Sequence, residues 1–246
     1  MAIEAKEVTG QDGLAVATRT SSAWQRYAWM AGIVFVIAFV AETVVSIGVG
    51  VNQNDSAAKI ANALHDHRER LLVIACLSVV YAAMFLIYLS GLYDLLRGDT
   101  DRRRFLGSLV LAGGALFVAL HAVSDIGITG ALGAKLASFG SQHDQGVAYT
   151  LYLMTFGLDS VADVLGSVFA LAAGALVIHS GVLPRWLGWV SLLAGILFFL
   201  QGFGLGGVIA SFGLVLDLIG FVLILAFVLV SSVILLTRGS ALVHRE

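Results

Sequence analysis

Six apolar stretches, each about as long as a membrane is thick, leave this chain few folds to choose from. A helix needs about 20 apolar residues to cross roughly 30 Å of hydrocarbon, at a rise of about 1.5 Å per residue. Stretches 28–50, 71–93, 105–129, 149–178, 186–207 and 211–237 meet that length. Lipid offers no partner to an open backbone N–H or C=O, so such stretches pair their own amides as helices. The expected fold is all-α: a polytopic membrane protein of six transmembrane helices. A single domain over 28–237 lies between a polar, flexible N-terminal tail at 1–27 and a short C-terminal tail at 238–246.

Composition agrees with lipid as the solvent. Hydrophobic residues make up 59% of the 246 and charged residues 12%, half the share of about a quarter in soluble domains. Twenty-eight glycines against one proline suit long helices in close approach, since small residues let backbones touch where lipid supplies no hydrophobic drive. A net charge of -2 and a pI near 6.3 exclude a nucleic-acid partner, which needs a basic face. Cys76 is the only cysteine, so an intrachain disulfide or a C-x-x-C redox pair is excluded, and its apolar surroundings predict a small buried residue. The opening residues lack the basic start and immediate apolar core of a cleavable signal peptide, so the first helix is expected to act as an uncleaved anchor.

Arginine and lysine orient the bundle, because they concentrate in cytoplasmic loops. With both termini inside (N-in/C-in), Lys6, Arg19, Arg26, Arg97, Arg102, Arg103, Arg104, Arg185, Arg238 and Arg245 are cytoplasmic, against Lys59, Arg68, Arg70 and Lys135 outside. Trp24, Tyr27 and Trp29 at the first span, and Trp186 and Trp189 at the fifth, are read as interfacial anchors. The stretch 55–70 reads as a short helix on the outer surface, capped by Asn54 or Asp55, with Ile60, Leu64 and Leu71 near helical spacing. His65 and His67, two residues apart, do not share a helical face; with His143 in the next outer loop they are read as solvated rather than as a metal site. Gly166, Ala170 and Gly174, and again Gly202 and Gly206, form small-residue stripes that mark close helix contact.

Six ionisable side chains interrupt the apolar stretches: Glu42, His121, Asp125, Asp159, Asp163 and Asp217. An acid at a helix centre costs on the order of 2.5–3.5 kcal/mol on insertion scales, so several in one bundle call for partners or a watery cavity. All six fit the outer half of the bilayer, which predicts a polar pocket opening outward and closed toward the cytoplasm. His121 with Asp125, and Asp159 with Asp163, are four residues apart and predicted to share helical faces. Glu42, His121, Asp159, Asp163 and Asp217 are the candidate ligands for a cation, a proton or a small cationic solute. His121, Asp125, Asp159 and Asp163 are the candidate ligands if a divalent metal binds, in which case a carboxylate could activate metal-bound water. The remaining reading is structural, with Asp159 and Asp217 hydrated and His121 paired to Glu42 across the bundle.

Other membrane chemistries are not expected. A retinal Schiff base needs a lysine within a span, and Lys6, Lys59 and Lys135 all lie outside the spans. Bis-histidine haem needs a second histidine beside His121, and no phosphate-binding G-x-x-x-x-G-K-[ST] loop marks a nucleotide site.

The turn Gly181-Val182-Leu183-Pro184-Arg185-Trp186-Leu187-Gly188-Trp189, followed by an apolar helix, resembles a family of bacterial six-helix membrane proteins known only as a domain of unknown function. There a Leu-[Val/Ile]-Pro-Arg-x-Leu-Gly turn leads into the fifth helix, and the run Ala31 to Phe35 is similar to that family's opening helix. The resemblance covers about Trp24 to Thr237 and implies the same topology, in a bacterial inner membrane, without an activity or catalytic residues to carry over. Three functions stay open: a binding or transport protein for a cation, proton or cationic solute; a metal-dependent membrane hydrolase or oxidase of lipid-like substrates; and an accessory or scaffold subunit without its own site. Expected partners are the lipid bilayer and either a second copy of the chain or another membrane subunit.

Overall fold

The structure, a computed structural model, describes residues 23–51, 54–135, 145–204 and 210–243. Among them there is no strand. The helices are α1 (Ala23–Ile47), α2 (Ala57–Asp66), α3 (Arg68–Leu96), α4 (Asp101–Ala122), a π-helical segment (Val123–Thr129), α5 (Gly130–Lys135), α6 (Gln145–Ser180), α7 (Arg185–Gly204) and α8 (Ala210–Val243). Five of these stretches are long and apolar enough to cross a membrane: Trp24–Ile47, Arg68–Leu96, Asp101–Gly133, Gln145–Ser180 and Leu218–Arg238. In α7 the described apolar part, Arg185–Gln201, is shorter. The chain is a multi-pass membrane protein by these features.

Packing closes a ring. Helix α1 lies against α3, α3 against α4, α4 against α6, α6 against α7, α7 against α8, and α8 returns to α1. Glycine permits the tightest approaches: a Cβ on Gly174 would meet the carbonyl oxygen of Gly188 at 2.7 Å, and one on Gly113 would meet the amide nitrogen of Phe169 at 2.7 Å. Gly166 and Ala170 of the same α6 stripe are also turned inward, Gly166 onto the Phe117 ring. Gly206 lies outside the described residues, and of Gly202 only its place in α7 is described. Between α6 and α7 the chain turns at Gly181, whose φ of 65° is the left-handed conformation that suits glycine, and Arg238 Nη1 of α8 donates to the Val182 carbonyl at 2.7 Å.

Outward faces are apolar. On α1, Val34, Ile37, Val40, Val44 and Ile47 are exposed at helical spacing, an area of apolar surface that water-soluble monomers do not present. Cys76 belongs to this outward set, contrary to its expected burial. In a bundle whose surroundings are as apolar as its core, an apolar neighbourhood does not separate inside from outside. Trp24, Tyr27, Trp186 and Trp189 are exposed as expected of anchors, whereas Trp29 is buried and meets Tyr88 edge-on with ring centroids 6.3 Å apart.

Helix α2 covers the opposite end of the bundle. Ser56, rather than Asn54 or Asp55, is its cap, its Oγ accepting from the Lys59 amide at 3.3 Å. Ile60, Ala61 and Leu64 form the buried face of α2, packed with Val49, Leu71, Ile74, Leu132 and Ala148 into a small apolar cluster apart from the main core. The main core, built on Phe35, Phe85, Phe117, Phe169, Phe198 and Phe227, fills the rest of the ring. Helix bounds differ from expectation by a few residues: α1 starts at Ala23 inside the expected tail, and α8 continues to Val243 past the expected end.

Candidate functional site

Between the two apolar clusters lies a cavity of about 160 Å³. Its carboxylates come from three elements: Glu42 from α1, Asp125 from the π-helical segment and Asp159 from α6. Its walls are mostly apolar, with Val49, Leu64, Leu71, Ile74, Leu132 and Phe156, and its other polar lining is Ser46, Thr129, Tyr152 and Thr155. No lysine or arginine is among the described lining residues.

Asp125 owes its position to the π-helical segment. A π turn inserts an extra residue into an α-helix and re-aims the side chains beyond it, a device frequent at functional sites. His121 and Asp125, expected to share a face, are turned to different neighbours. Asp125 faces α3, where the Tyr81 hydroxyl donates to its Oδ2 at 2.5 Å and the Ser78 hydroxyl lies 3.2 Å from the same oxygen and 2.9 Å from the Ile74 carbonyl. One turn earlier His121 faces α6.

His121 bridges the two α6 carboxylates. Its Nδ1 donates to Asp159 Oδ1 at 3.1 Å, and its Nε2 stands 3.5 Å from Asp163 Oδ1. The latter approach lacks hydrogen-bond alignment, so Nε2 and Oδ1 are both buried without a hydrogen-bond partner among the described residues. His121 is 6% exposed and Asp163 2%. The expected one-turn spacing of Asp159 and Asp163 thus holds, with Asp159 shared between the cavity and the imidazole and Asp163 sealed behind it. The expected partnership of His121 with Glu42 is replaced by these α6 carboxylates.

Below the imidazole the bundle is closed by aromatic rings. Phe117 meets His121 edge-on at 4.7 Å and Phe221 lies 6.0 Å from it. Phe221 in turn packs on Phe39 at 5.2 Å and Phe198 at 5.1 Å. The cavity is therefore blind on the side of the arginine-rich turn at 97–104.

The four residues expected to share a metal do not form one ligand set. Both imidazole nitrogens face α6 and Asp125 is turned to α3. Among the described residues no group of three or more His, Cys, Asp and Glu side chains is gathered as metal ligands. Asp217 lies on α8, with its side chain outside what is described, as is His143. Tyr81, Ser78 and the aromatic floor are parts of the site that the sequence did not single out; a tyrosine three residues from a serine within an apolar helix is the only signal they leave.

Neither a curated protein nor a solved structure matches this chain. A family match spans residues 30–239, the whole ring from α1 to the last turns of α8. The chain belongs to the family described as Domain of unknown function (DUF4386).

Proposed function

We propose that the protein binds a cation, or a small cationic solute together with protons, in the cavity between α1, the π-helical segment and α6. The chain crosses the membrane six times in this reading, with both termini in the cytoplasm of a bacterium and the cavity opening to the exterior. The observation that carries it is charge balance. Glu42, Asp125 and Asp159 line the cavity and Asp163 lies behind them, with His121 paired to Asp159 and Asp163 and no lysine or arginine among the described lining residues. Uncompensated carboxylates in so apolar a setting are costly, so positive charge has to come from protons or a bound cation. A blind cavity open at the α2 end suits a binding step that precedes or regulates transport.

The test is thermal stability of purified full-length protein against a panel of lithium, sodium, potassium, magnesium, calcium and ammonium salts. A cation that binds only the folded state stabilises it by about 2.7 kcal/mol at a hundredfold excess over its Kd. At least one cation should raise the melting temperature dose-dependently, more so at higher pH because protons compete for the same oxygens. The double variant Glu42→Gln, Asp159→Asn should lose the effect. A melting temperature indifferent to every cation between about pH 5 and 9 removes the proposal.

A further inference from the structure

The cavity is rich in acceptors and short of donors, and that imbalance specifies its occupant further. Of the hydroxyls at its wall, Tyr152 donates to the Val51 carbonyl at 3.2 Å and Thr155 to the Tyr152 carbonyl at 2.7 Å. Tyr81 directs its proton to Asp125 Oδ2, and the Ser78 hydroxyl is divided between the Ile74 carbonyl at 2.9 Å and the same Asp125 oxygen at 3.2 Å. The groups left over are the carboxylate oxygens of Glu42, Asp125 and Asp159 beside the Ser46 and Thr129 hydroxyls. Behind them, the buried Asp163 Oδ1 and His121 Nε2 are without aligned partners among the described residues. An occupant that brings positive charge and several N–H donors, as an ammonium group does, suits this surplus of carboxylate oxygens.

Size and wall chemistry narrow it again. At about 30 Å³ per water-sized group, 160 Å³ holds about five such groups, more than a bare metal ion needs. Leu64, Leu71, Ile74, Leu132 and Phe156 offer a metal ion no ligands. They suit a short alkyl chain, and Phe156, held edge-on by Tyr152 at 5.0 Å, adds apolar ring surface for it.

We infer that the cavity takes a small primary ammonium compound, its charged end among Glu42, Asp125 and Asp159 and its alkyl end against Leu64, Leu71 and Phe156. This rests on the cation-binding reading above. The experiment is calorimetric titration of the full-length protein in detergent with n-butylammonium chloride, with sodium chloride, and with 1-butanol as the uncharged analogue. Butylammonium should bind at least tenfold more tightly than sodium, and 1-butanol should neither bind nor compete. Asp159→Asn should weaken butylammonium at least tenfold, and Leu132→Trp, which fills the cavity from its wall, should do the same while sparing sodium. If sodium or a divalent cation binds through these carboxylates and butylammonium does not compete, the ammonium assignment is wrong and the cation pocket stands. If no cation binds, both fall. Equal binding of 1-butanol would show recognition by apolar contact alone and overturn both. The competition on the unaltered protein decides the matter even if a variant fails to fold.

Discussion

Tyr81 shows how a single side chain serves both packing and polarity at this site. Its ring meets Phe39 at 5.5 Å and Phe35 at 6.2 Å, while its hydroxyl reaches Asp125 at 2.5 Å. The two roles separate by substitution. Tyr81→Phe keeps the ring and removes one hydrogen bond, a loss of about 0.6–1.7 kcal/mol on the scale of polar contacts within membrane bundles. Tyr81→Ala opens a cavity as well and should cost about 3–5 kcal/mol. Thermal unfolding in detergent measures both; equal losses for the two variants would show that the hydroxyl, not the ring, sustains this region. The acids themselves were visible in the sequence because a charge in an apolar helix is conspicuous. Tyr81 and Ser78 were not, because tyrosine and serine are ordinary residues inside such helices.

At the scale of elements, the π-helical segment Val123–Thr129 decides which carboxylates meet. In an unbroken α-helix residues four apart share a face, whereas here His121 meets α6 and Asp125 meets α3. Deleting Val123 should restore the α register and swing Asp125 by about 100° around the axis, away from Tyr81. The expected outcome is unchanged helix content by circular dichroism with loss of cation-dependent stabilisation; a deletion variant that still responds to cations would show that Asp125 is dispensable. Length and hydropathy revealed α1, α3, α4 and α6 to within a few residues, because burial of apolar area in lipid depends on those two properties. The π segment left no trace in the sequence: Val-Ser-Asp-Ile-Gly-Ile-Thr is as compatible with an α-helix, and only packing against α3 and α6 selects the wider turn. The outer helix α2 was legible from its spacing of apolar residues, while its cap was misplaced by one or two residues because Asn54, Asp55 and Ser56 are all competent caps.

For the whole molecule, the ring of helices has two unlike ends. One carries α2 and the acidic cavity; the other carries Arg97, Arg102, Arg103 and Arg104 with exposed Trp24, Trp186 and Trp189. In the proposed topology, drawn from the positive-inside rule, the second end faces the cytoplasm. In a Cys76→Ser background, the Ala58→Cys variant should react with a membrane-impermeant thiol reagent added to intact cells, and the Asp99→Cys variant only after the membrane is breached. The reverse pattern would invert the topology and turn the cavity inward. The four phenylalanines beneath His121 then take on a meaning for traffic through the protein. Water cannot thread a packed stack of rings, so in this conformation the bundle is a vestibule without a back door. Any passage beyond it waits on the rings parting, an event whose frequency, and not the concentration of solute at the mouth, would set the pace.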